Sequence, residues 1–367
     1  MNKMVISNLV HRPLRTLISV VAIAVEVTLI LVIVGLSLGI LNDAKRRQEG
    51  VGADLMVQPP GSSFIGQITG APVSTKIADK IRALPDVKAV TPVVTQLNTS
   101  GAVEVIYGVD LPSFVAVGGP LHYLEGGPFK NANDIIIDDY LAKSKQLRTG
   151  STIEVLNHPF RVSAVVEHGR GARKFLPIAT MQELIGAQDK ASIFYVKAED
   201  PNNAAAIVDS IKSIPGMEQF TVRTMREWLS LMTPDNVPGF STFINVVIGV
   251  AVIIGFIVIF QAMYTAVLER TREIGILKSM GASKAYITSV ILRETALLAA
   301  CGILLGVVIS ALTQQQLVRA FPTIRVELTG RWILNATLIA FAGSLLGALY
   351  PAFKAAQKDP IDALAYE

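Results

Sequence analysis

Charged residues are scarce in this 367-residue chain. Asp, Glu, Lys and Arg make up 17% of it, whereas soluble domains carry about 25%. Hydrophobic residues reach 51%, and their excess is concentrated in four apolar blocks. This imbalance indicates that lipid is part of the solvent of the chain and excludes an ordinary water-soluble protein.

Cysteine is almost absent. Cys301 is the single one and lies inside the third apolar block, so neither an internal disulfide nor a Cys-x-x-Cys motif can form. The long segment between the first two blocks contains none. That segment is therefore compatible with an oxidising compartment and needs no disulfides there.

The motifs of several enzyme classes are also missing. There is no G-x-x-x-x-G-K-[ST] phosphate loop, no H-E-x-x-H zinc motif and no G-x-S-x-G nucleophile elbow. The four histidines are scattered. We therefore expect no catalytic residue, no metal site and no cofactor bound by this chain. The net charge of +4 comes without a basic run interleaved with aromatics, so nucleic acid is not an expected partner.

Each apolar block is long enough to cross a bilayer, for which about 20 residues suffice. The blocks cover residues 17–41, 243–267, about 295–312 and 332–350. The first exceeds the apolar region of a signal peptide, which spans about 7–15 residues. We predict four retained transmembrane helices in contact with membrane lipid.

Basic residues predict the orientation of these helices. The loop between the second and third blocks is the more basic short loop and carries Arg270, Arg272, Lys278, Lys284 and Arg293. We expect this loop and both termini to be cytoplasmic, in a multi-pass protein of the inner cell membrane. Residues 42–240 then lie outside.

Short strand and helix patterns alternate over residues 42–240. Strands are predicted at 54–58, 87–97, 103–109, 135–137, 153–156 and 160–166, and helices at 73–84 and 204–214. Turn clusters at 118–120 and 126–128 divide this region into two lobes. The predicted fold class is a four-helix transmembrane domain with an α+β extracytoplasmic domain inserted between the first and second membrane helices.

The predicted domain boundaries follow from these blocks. They are 1–41 for the cytoplasmic N-terminus and first helix, 42–240 for the extracytoplasmic domain, 241–285 for the second helix with a stalk and coupling segment, 286–315 for the third helix, 316–330 for an external loop, 331–350 for the fourth helix and 351–367 for a cytoplasmic tail.

Residues 269–284 have a helical pattern, with apolar residues recurring every three positions at Ile274, Leu277 and Met280. Helix two is expected to continue as a stalk, to stop at Gly281 in left-handed geometry, and to be followed by a short transverse helix capped by Ser283. A stalk, a break and a transverse helix in this order form a rigid surface on which a cytoplasmic partner could push. Simple anchoring beside the membrane explains the same residues and is slightly favoured by chemistry alone.

Two acidic residues and three glycine pairs stand out in the apolar blocks. Glu26 is either a carboxylate linked to substrate or conformation, or a hydrogen-bonded packing residue. Glu294 is expected to form an interfacial pair that orients helix three. The G-x-x-x-G pairs predict either packing within one bundle, which is favoured, or a dimer interface. They are Gly35/Gly39, Gly302/Gly306 and Gly343/Gly347.

Residues 169–174 form a glycine-rich basic stretch that contains Arg170, Arg173 and Lys174. An anion site is one interpretation. A solvated loop is favoured, because mobile polar residues collect in loops.

Three segments resemble MacB/FtsX-type permeases. They are E-R-T-R-E-I-G followed by M-G-A-S at 269–283, P-A-x-x-A followed by D-P-x-x-A-L at 351–364, and L-P-D-V followed by V-T-P at 84–92. The resemblance covers essentially the whole chain and includes the order of its segments. A fused N-terminal ATPase domain, as in MacB itself, is absent from this sequence.

The resemblance implies a homodimer in which each copy contacts one cytoplasmic ABC ATPase subunit, and that subunit would bind ATP and Mg²⁺. It implies an exporter whose extracytoplasmic domain expels a substrate from the outer side of the membrane, with a periplasmic adaptor as a further candidate partner. The residues implied in ATPase coupling are Glu269, Arg272, Glu273, Gly275, Gly281, Ala282, Ser283 and Lys284.

Two other functions stay open. The first is a permease that releases lipoproteins or lipids, and the second is a membrane-anchored sensor or scaffold without transport. The stalk and break argue against the scaffold, because a scaffold needs no mechanical input.

Overall fold

The computed structural model describes residues 13–62, 70–98 and 104–358. It forms two compact units. The helical unit contains the chain up to Leu38, Ser241–Arg319 and the chain from Val326, whereas the α/β unit contains Gly39–Phe240 and Ala320–Arg325. The D-P-x-x-A-L tail at 359–364 lies outside the described residues.

Four long helices confirm the predicted membrane segments. They are α1 (Pro13–Glu49), α8 (Phe240–Glu269), α10 (Lys284–Ala320) and α11 (Gly330–Gln357), and each is long and apolar enough to span a bilayer. All four extend beyond the predicted blocks. Hydropathy detects only the apolar part of a helix. The polar residues at the end of α1 are also helical, and they belong to the α/β unit.

The outward faces of the helical unit are apolar, as a lipid-contacting surface requires. Val246 and Ile257 on α8, Leu304 on α10 and Leu334 on α11 are all more than half exposed. The inward faces are lined by small residues. Ala299 on α10 and Ala340 on α11 are fully buried.

Glycines bring the helices close together within this one chain. A Cβ atom at Gly302 would lie 2.7 Å from Cβ of Ile23, and one at Gly306 would lie 2.8 Å from the carbonyl oxygen of Ala24. A Cβ atom at Gly347 would lie 3.0 Å from the carbonyl oxygen of Phe256. These glycines therefore pack α10 against α1 and α11 against α8 inside the bundle.

Gly35 on α1 packs against an extended segment rather than against a helix. Its carbonyl oxygen accepts a 2.8 Å hydrogen bond from the backbone N–H of Glu327. A Cβ atom at Gly35 would lie 3.1 Å from Cγ1 of Val326. The small residue thus lets the chain before α11 approach the helix.

The α/β unit is built on one mixed sheet of ten strands. Its order is β12-β1-β11-β3-β4-β9-β6-β8-β5, with β7 paired to β8. The strands are β1 Leu55–Gln58, β3 Val87–Asn98, β4 Glu104–Val109, β5 Tyr123–Gly126, β6 Asp134–Asp138, β7 Thr152–Val155, β8 His158–Val166, β9 Lys174–Pro177, β11 Ile193–Ala198 and β12 Thr221–Thr224. Strands β4/β9 and β6/β8 are parallel, and this confirms the mixed α+β fold.

Short helices cover the sheet, and a separate two-stranded pair joins β2 (Val73–Ser74) to β10 (Lys190–Ala191). The helices are α2 Ile77–Arg82, α3 Leu111–Gly118, α4 Asp139–Lys145, α5 Ile178–Leu184, α6 Ala204–Lys212 and α7 Met225–Leu231. The predicted helix at 73–84 is therefore shorter than expected, because its first two residues pair as a strand. The apolar spacing was correct, since Ile81 is fully buried.

Three hydrophobic clusters make the core of this unit. One contains Tyr107, Phe114, Phe175, Tyr195 and Trp228, a second contains Leu55, Ile81, Phe194 and Ile211, and a third contains Ile135, Phe160, Leu176 and Met181. Burying each such side chain stabilises the fold by about 1.5–3 kcal/mol relative to exposure. The sheet continues on both sides of the turn clusters, so the two predicted lobes share it.

Candidate coupling site

The chain after α8 breaks earlier than predicted. Helix α8 ends at Glu269, Arg270 leaves helical geometry with φ −110° and ψ 18°, and α9 covers Thr271–Ser279. The Thr271 hydroxyl donates back to the carbonyl oxygen of Leu268 at 2.8 Å, a bond that competes with regular helix geometry. The prediction of one continuous stalk is therefore wrong, because the stalk is a separate short helix.

A Schellman turn ends α9. The backbone N–H of Ala282 donates to the Leu277 carbonyl at 3.0 Å, and that of Gly281 donates to the Lys278 carbonyl at 3.0 Å. Gly281 has φ +95°, a conformation that glycine adopts without a Cβ penalty. The predicted stop at Gly281 is correct.

Ser283 begins the next helix. Its Oγ accepts a 3.2 Å bond from the backbone N–H of Tyr286, which satisfies one donor at the helix start. The helix that follows is α10 itself, which runs for 37 residues without interruption. The prediction of a separate transverse helix is therefore wrong, and the turn leads directly into the third membrane helix.

The turn presents an exposed surface. Met280 is 72% exposed, and Gly281, Ser283 and Lys284 are also exposed. The opposite face of α9 is buried through Thr271, Ile274 and Gly275. Residues Arg272 and Glu273 lie on the exposed side of α9.

A cleft lies between α9 and the first turns of α10. Apolar side chains from both helices and from the end of α8 line it, with two carboxylates and one guanidinium at its polar end. The lining includes Met263, Val267, Arg270, Glu273, Ile274, Leu277, Ile287, Val290, Ile291 and Glu294.

Charged residues join three helices at this level. Glu294 on α10 is 2% exposed. Its Oε2 lies 3.0 Å from Nη1 of Arg270, and its Oε1 lies 3.5 Å from Nη2 of Arg15 on α1. Nη1 of Arg15 also lies 3.3 Å from Oε2 of Glu269. Glu294 thus pairs across helices, and the network connects the starts of α1 and α10 with the end of α8.

Lys278 connects α9 to the fourth long helix. Its Nζ donates to the carbonyl oxygen of Ala356 at 3.0 Å and also to that of Lys358. A cation at these carbonyls caps the C-terminus of α11 and complements its dipole. The short helix α9 is therefore bonded to the C-terminal end of α11 through Lys278.

Glu26 lies in the interior of the bundle on α1 and is 4% exposed. Gly255 on α8 makes room for it, because a Cβ atom there would lie 1.9 Å from Oε2 of Glu26. Its Oε1 has no hydrogen-bond partner among the described residues. The geometry fits a packing residue and a functional carboxylate equally, so both hypotheses for Glu26 stay open.

The end of α1 lies inside the α/β unit. Gln48 is 2% exposed, and its amide meets two tyrosine hydroxyls. Its Nε2 donates to Tyr107 at 2.9 Å, its Oε1 accepts from Tyr195 at 2.8 Å, and the two phenol oxygens lie 2.9 Å apart. Burial raises the pKa of both phenols above the ordinary value of 10.0.

The basic stretch at 169–174 is neither a solvated loop nor an open anion site. Arg170 donates to the carbonyl oxygens of Gly118 and Pro120 at 2.5 and 3.1 Å. Arg173 and Lys174 are buried. Lys174 pairs with Glu104, and Arg173 pairs with two aspartates. Arg173 and Lys174 fit neither interpretation, because carboxylates from distant parts of the chain pair with them inside the fold.

Several members of these networks had no signal in the sequence. The Arg270–Glu294 pair joins positions 24 residues apart, and the contacts of Gln48 and Arg173 join still more distant positions. Among the residues that the structure describes, no group of three or more His, Cys, Asp and Glu is arranged to hold a metal.

Comparison with known protein families matches both units. Residues 16–214 match the MacB-like periplasmic core domain, and residues 245–360 match the FtsX-like permease C-terminal domain. Four helices able to span a membrane accompany these matches. The chain therefore belongs to the MacB/FtsX-like family of ABC transporter permeases and is a multi-pass membrane protein.

Individual relatives extend over the whole chain. The macrolide export ATP-binding/permease protein MacB of Shewanella sp. (strain W3-18-1) is 28% identical over 97% of this chain and 59% of its own length. The uncharacterized ABC transporter permease YknZ of Bacillus subtilis (strain 168) is 24% identical over 100% of this chain and 98% of its own length. The chain thus spans somewhat more than half of the MacB relatives and nearly all of YknZ.

Two crystal structures resemble part of the chain. The periplasmic region of MacB from Actinobacillus actinomycetemcomitans has 18% identity and a TM-score of 0.38, and covers 49% of this chain and 92% of its own. The extracellular domain of the noncanonic ABC-type transporter YknZ from Gram-positive bacteria has 14% identity and a TM-score of 0.36, and covers 47% and 98% respectively.

Proposed function

We propose that this chain is the permease of a MacB-type ABC exporter. An ATPase subunit on the cytoplasmic side, which binds ATP and Mg²⁺, docks on the coupling turn, defined as residues 280–284. ATP-driven closure of the ATPases is relayed through the helices to the α/β unit, which expels a substrate at the outer side of the membrane. Two copies of the chain act together, and a periplasmic adaptor is a candidate further partner.

The observation that carries the proposal is the exposed and hydrogen-bonded coupling turn, which is continuous with α10. The turn is exposed, it is fixed by two Schellman hydrogen bonds, and it leads straight into α10. A force on the turn therefore acts on a transmembrane helix without an intervening flexible joint. Both termini and this turn lie in the cytoplasm in this proposal, in agreement with the positive-inside tendency.

The ion pairs beside the turn support a relay rather than a simple anchor. Glu294 contacts Arg270 and Arg15, so displacement of α10 is shared with α8 and α1. Helix α1 has 37 residues and is about 55 Å long at 1.5 Å per residue. Its last residues belong to the α/β unit, which gives the relay a continuous path along one helix.

The test compares two glycines that share a left-handed backbone conformation and open space around the Cβ position. Gly281 has φ +95° and Gly216 has φ +88°, and a Cβ atom at either would meet nothing within 4 Å. Valine at either position therefore carries a similar left-handed strain of about 1–2 kcal/mol. The chain is co-expressed with a candidate ABC ATPase subunit from the same genome, and the retained ATPase is quantified after purification in detergent.

We expect Gly281→Val to reduce retained ATPase and ATP turnover about tenfold or more, because the turn changes shape, whereas Gly216→Val retains both. Equal retention by the two variants would contradict the coupling assignment. Absence of any co-purifying ATPase with the unmodified chain would contradict the permease function as a whole.

A further inference from the structure

Arg173 lies at the start of β9 and is 6% exposed. Its guanidinium makes three hydrogen bonds. Nη1 donates to Oδ2 of Asp138 at 3.1 Å, and Nη2 donates to Oδ2 of Asp43 at 3.0 Å and to the carbonyl oxygen of Thr323 at 3.0 Å. A buried guanidinium with this many partners is fixed in both position and orientation.

The three partners belong to different parts of the chain. Asp43 lies on α1 and Thr323 lies between α10 and α11. Asp138 ends β6 and caps α4, since its Oδ1 accepts from the backbone N–H of Leu141 at 2.8 Å. All three lie in the α/β unit. One side chain therefore touches the sheet, the end of α1 and the segment that joins α10 to α11.

The two segments depend on Arg173 to different degrees. Residues 39–49 of α1 have a second attachment, because Gln48 is bonded to Tyr107 and Tyr195 in the core. Arg47 adds a third, since its carbonyl oxygen accepts from the backbone N–H of Gly171 at 2.7 Å. Among the described residues, the hydrogen bonds between residues 320–325 and the rest of the unit involve the Thr323 carbonyl and the Arg325 side chain, which meets Tyr140 and His168.

We propose that Arg173 is a positioning residue that fastens the segment 320–325 to α1 and to β6, so that the chain entering α11 is displaced together with the end of α1. The contact itself stands on the observed geometry, and its consequence for transport rests on the proposed function.

Arginine suits this position better than lysine. The planar guanidinium places separate N–H groups toward two carboxylates and a carbonyl at fixed angles. A lysine ammonium directs its donors from one nitrogen atom, so it can replace the charge but cannot reproduce the three-way geometry. Arg173→Lys therefore keeps the positive charge and removes the planar arrangement of N–H donors, so it tests the two contributions separately.

The experiment measures backbone amide exchange by mass spectrometry on the full chain in lipid nanodiscs. The variants are Arg173→Gln, Arg173→Lys and Asp43→Asn, and the matched control is Arg161→Gln, an exposed arginine on β8, which is separated from β9 by β6 in the sheet. Peptides covering 320–325 report the released segment through the Ile324 amide, which donates to the carbonyl of Phe321 at 2.9 Å. Peptides covering 46–49 report the independently attached end of α1.

For both Arg173 variants we expect exchange at 320–325 to accelerate about tenfold or more, because local opening no longer breaks the bond to the Thr323 carbonyl. Exchange at 46–49 should stay within about twofold, since the Gln48 contacts remain. Arg161→Gln should match the unmodified chain. Exchange at 320–325 within twofold in both Arg173 variants would overturn the proposal, and so would equal acceleration throughout the unit.

Asp43→Asn keeps the proposal testable if the Arg173 variants fail to fold. It removes the charge of one partner and leaves the bonds from Arg173 to Asp138 and Thr323, so we expect exchange at 320–325 to accelerate by about two- to tenfold relative to the unmodified chain. Exchange at 320–325 equal to that of the unmodified chain would contradict the role of Arg173 and its partners in holding this segment.

A second readout addresses transport. With the ATPase subunit present, Arg173→Lys should lower the ratio of substrate-stimulated to basal ATP turnover, and Arg161→Gln should not. An unchanged ratio despite faster exchange would overturn the role in transport. The exchange measurement needs no ATPase, so failure of the unmodified chain to retain one would count against the proposed function and leave the contact established.

Discussion

Arg270 and Glu294 lie 24 residues apart in the sequence, and Nη1 of Arg270 donates to Oε2 of Glu294 at 3.0 Å. The arginine stands at the break between α8 and α9, and the carboxylate is buried one helix away on α10. This pair therefore fixes the position of the break relative to the third membrane helix. Together with the Arg15 contacts, this pair connects the end of α8 with α10 and α1.

Removing the carboxylate from this pair should destabilise the helical unit. Glu294→Gln removes the charge of a buried carboxylate that pairs with Arg270 and Arg15, and breaking a buried pair on one side costs about 3–5 kcal/mol. We expect a lower midpoint of thermal unfolding in detergent. Glu273→Gln is the control, because Glu273 is exposed on α9.

The double variant Glu294→Gln with Arg270→Gln tests whether charge is responsible. It removes both charges together, so we expect it to recover part of the stability that Glu294→Gln loses. A double variant less stable than the sum of the single changes would contradict the ion-pair explanation.

Gly302 should tolerate no side chain. A Cβ atom there would approach Cβ of Ile23 to 2.7 Å, so Gly302→Ala must separate α10 from α1. Overpacking of this kind costs about 1–3 kcal/mol. Gly249→Ala is the matched control, because a Cβ atom at Gly249 meets nothing within 4 Å. Comparison of the two unfolding midpoints decides the prediction, and equal midpoints would refute close packing at Gly302.

The buried tyrosines should make the α/β unit sensitive to alkali. Burial raises the pKa of Tyr107 and Tyr195 above the ordinary value of 10.0, so the folded state retains their protons longer than the unfolded chain does. Their contribution to stability is complete below pH 10 and is lost as the pH rises above it. Unfolding should be followed by circular dichroism between pH 8 and about pH 12.

Tyr107→Phe combined with Tyr195→Phe should flatten this alkaline dependence, since neither ring can then ionise. The double variant should also be less stable at neutral pH, because the Gln48 amide loses two partners at about 1–3 kcal/mol for an unsatisfied buried group. Tyr286→Phe is the control, as Tyr286 lies outside the α/β unit. Equal alkaline slopes in all three proteins would contradict the assignment.

Replacement of Glu26 should show which of its two roles applies. Gln has nearly the same shape and fits beside Gly255, so we expect Glu26→Gln to unfold at the same midpoint or a higher one, since a charge in the membrane interior costs about 3 kcal/mol. A packing role predicts that stimulation of ATP turnover by substrate is unchanged, whereas a conformational role predicts that it falls. Glu26→Leu, which cannot offer polar atoms at the Gly255 position, completes the comparison.

Much of the fold could be predicted because its signals are local. Hydropathy located all four long helices, and short apolar segments located six strands, among them Val87–Asn98 and His158–Val166. The stop at Gly281 and the cap at Ser283 were also predictable, because each is encoded by one residue and its immediate neighbours. Strand β11, in contrast, is a nearly continuous buried run, which periodicity alone does not distinguish from a helix segment.

The site was less predictable because its contacts are remote. Arg173 looked like part of a solvated basic loop, yet its bond to Thr323 spans 150 positions. The break at Arg270 was missed because the apolar spacing of 269–284 is that of one continuous helix. Resemblance of the 269–284 segment to a permease family located the coupling region, but nothing in that segment indicated Arg15 or Glu294 as its supports.

The sequence by itself determined the number of membrane helices, the α+β character of the inserted region and the turn at Gly281, since hydropathy and backbone preference act over one or a few turns of the chain. The tertiary structure decided which charges are neutralised inside the fold and which segments Arg173 contacts. These outcomes depend on side chains tens to hundreds of positions apart, and only the folded chain brings those atoms within 3–4 Å, where an ion pair or a hydrogen bond can form.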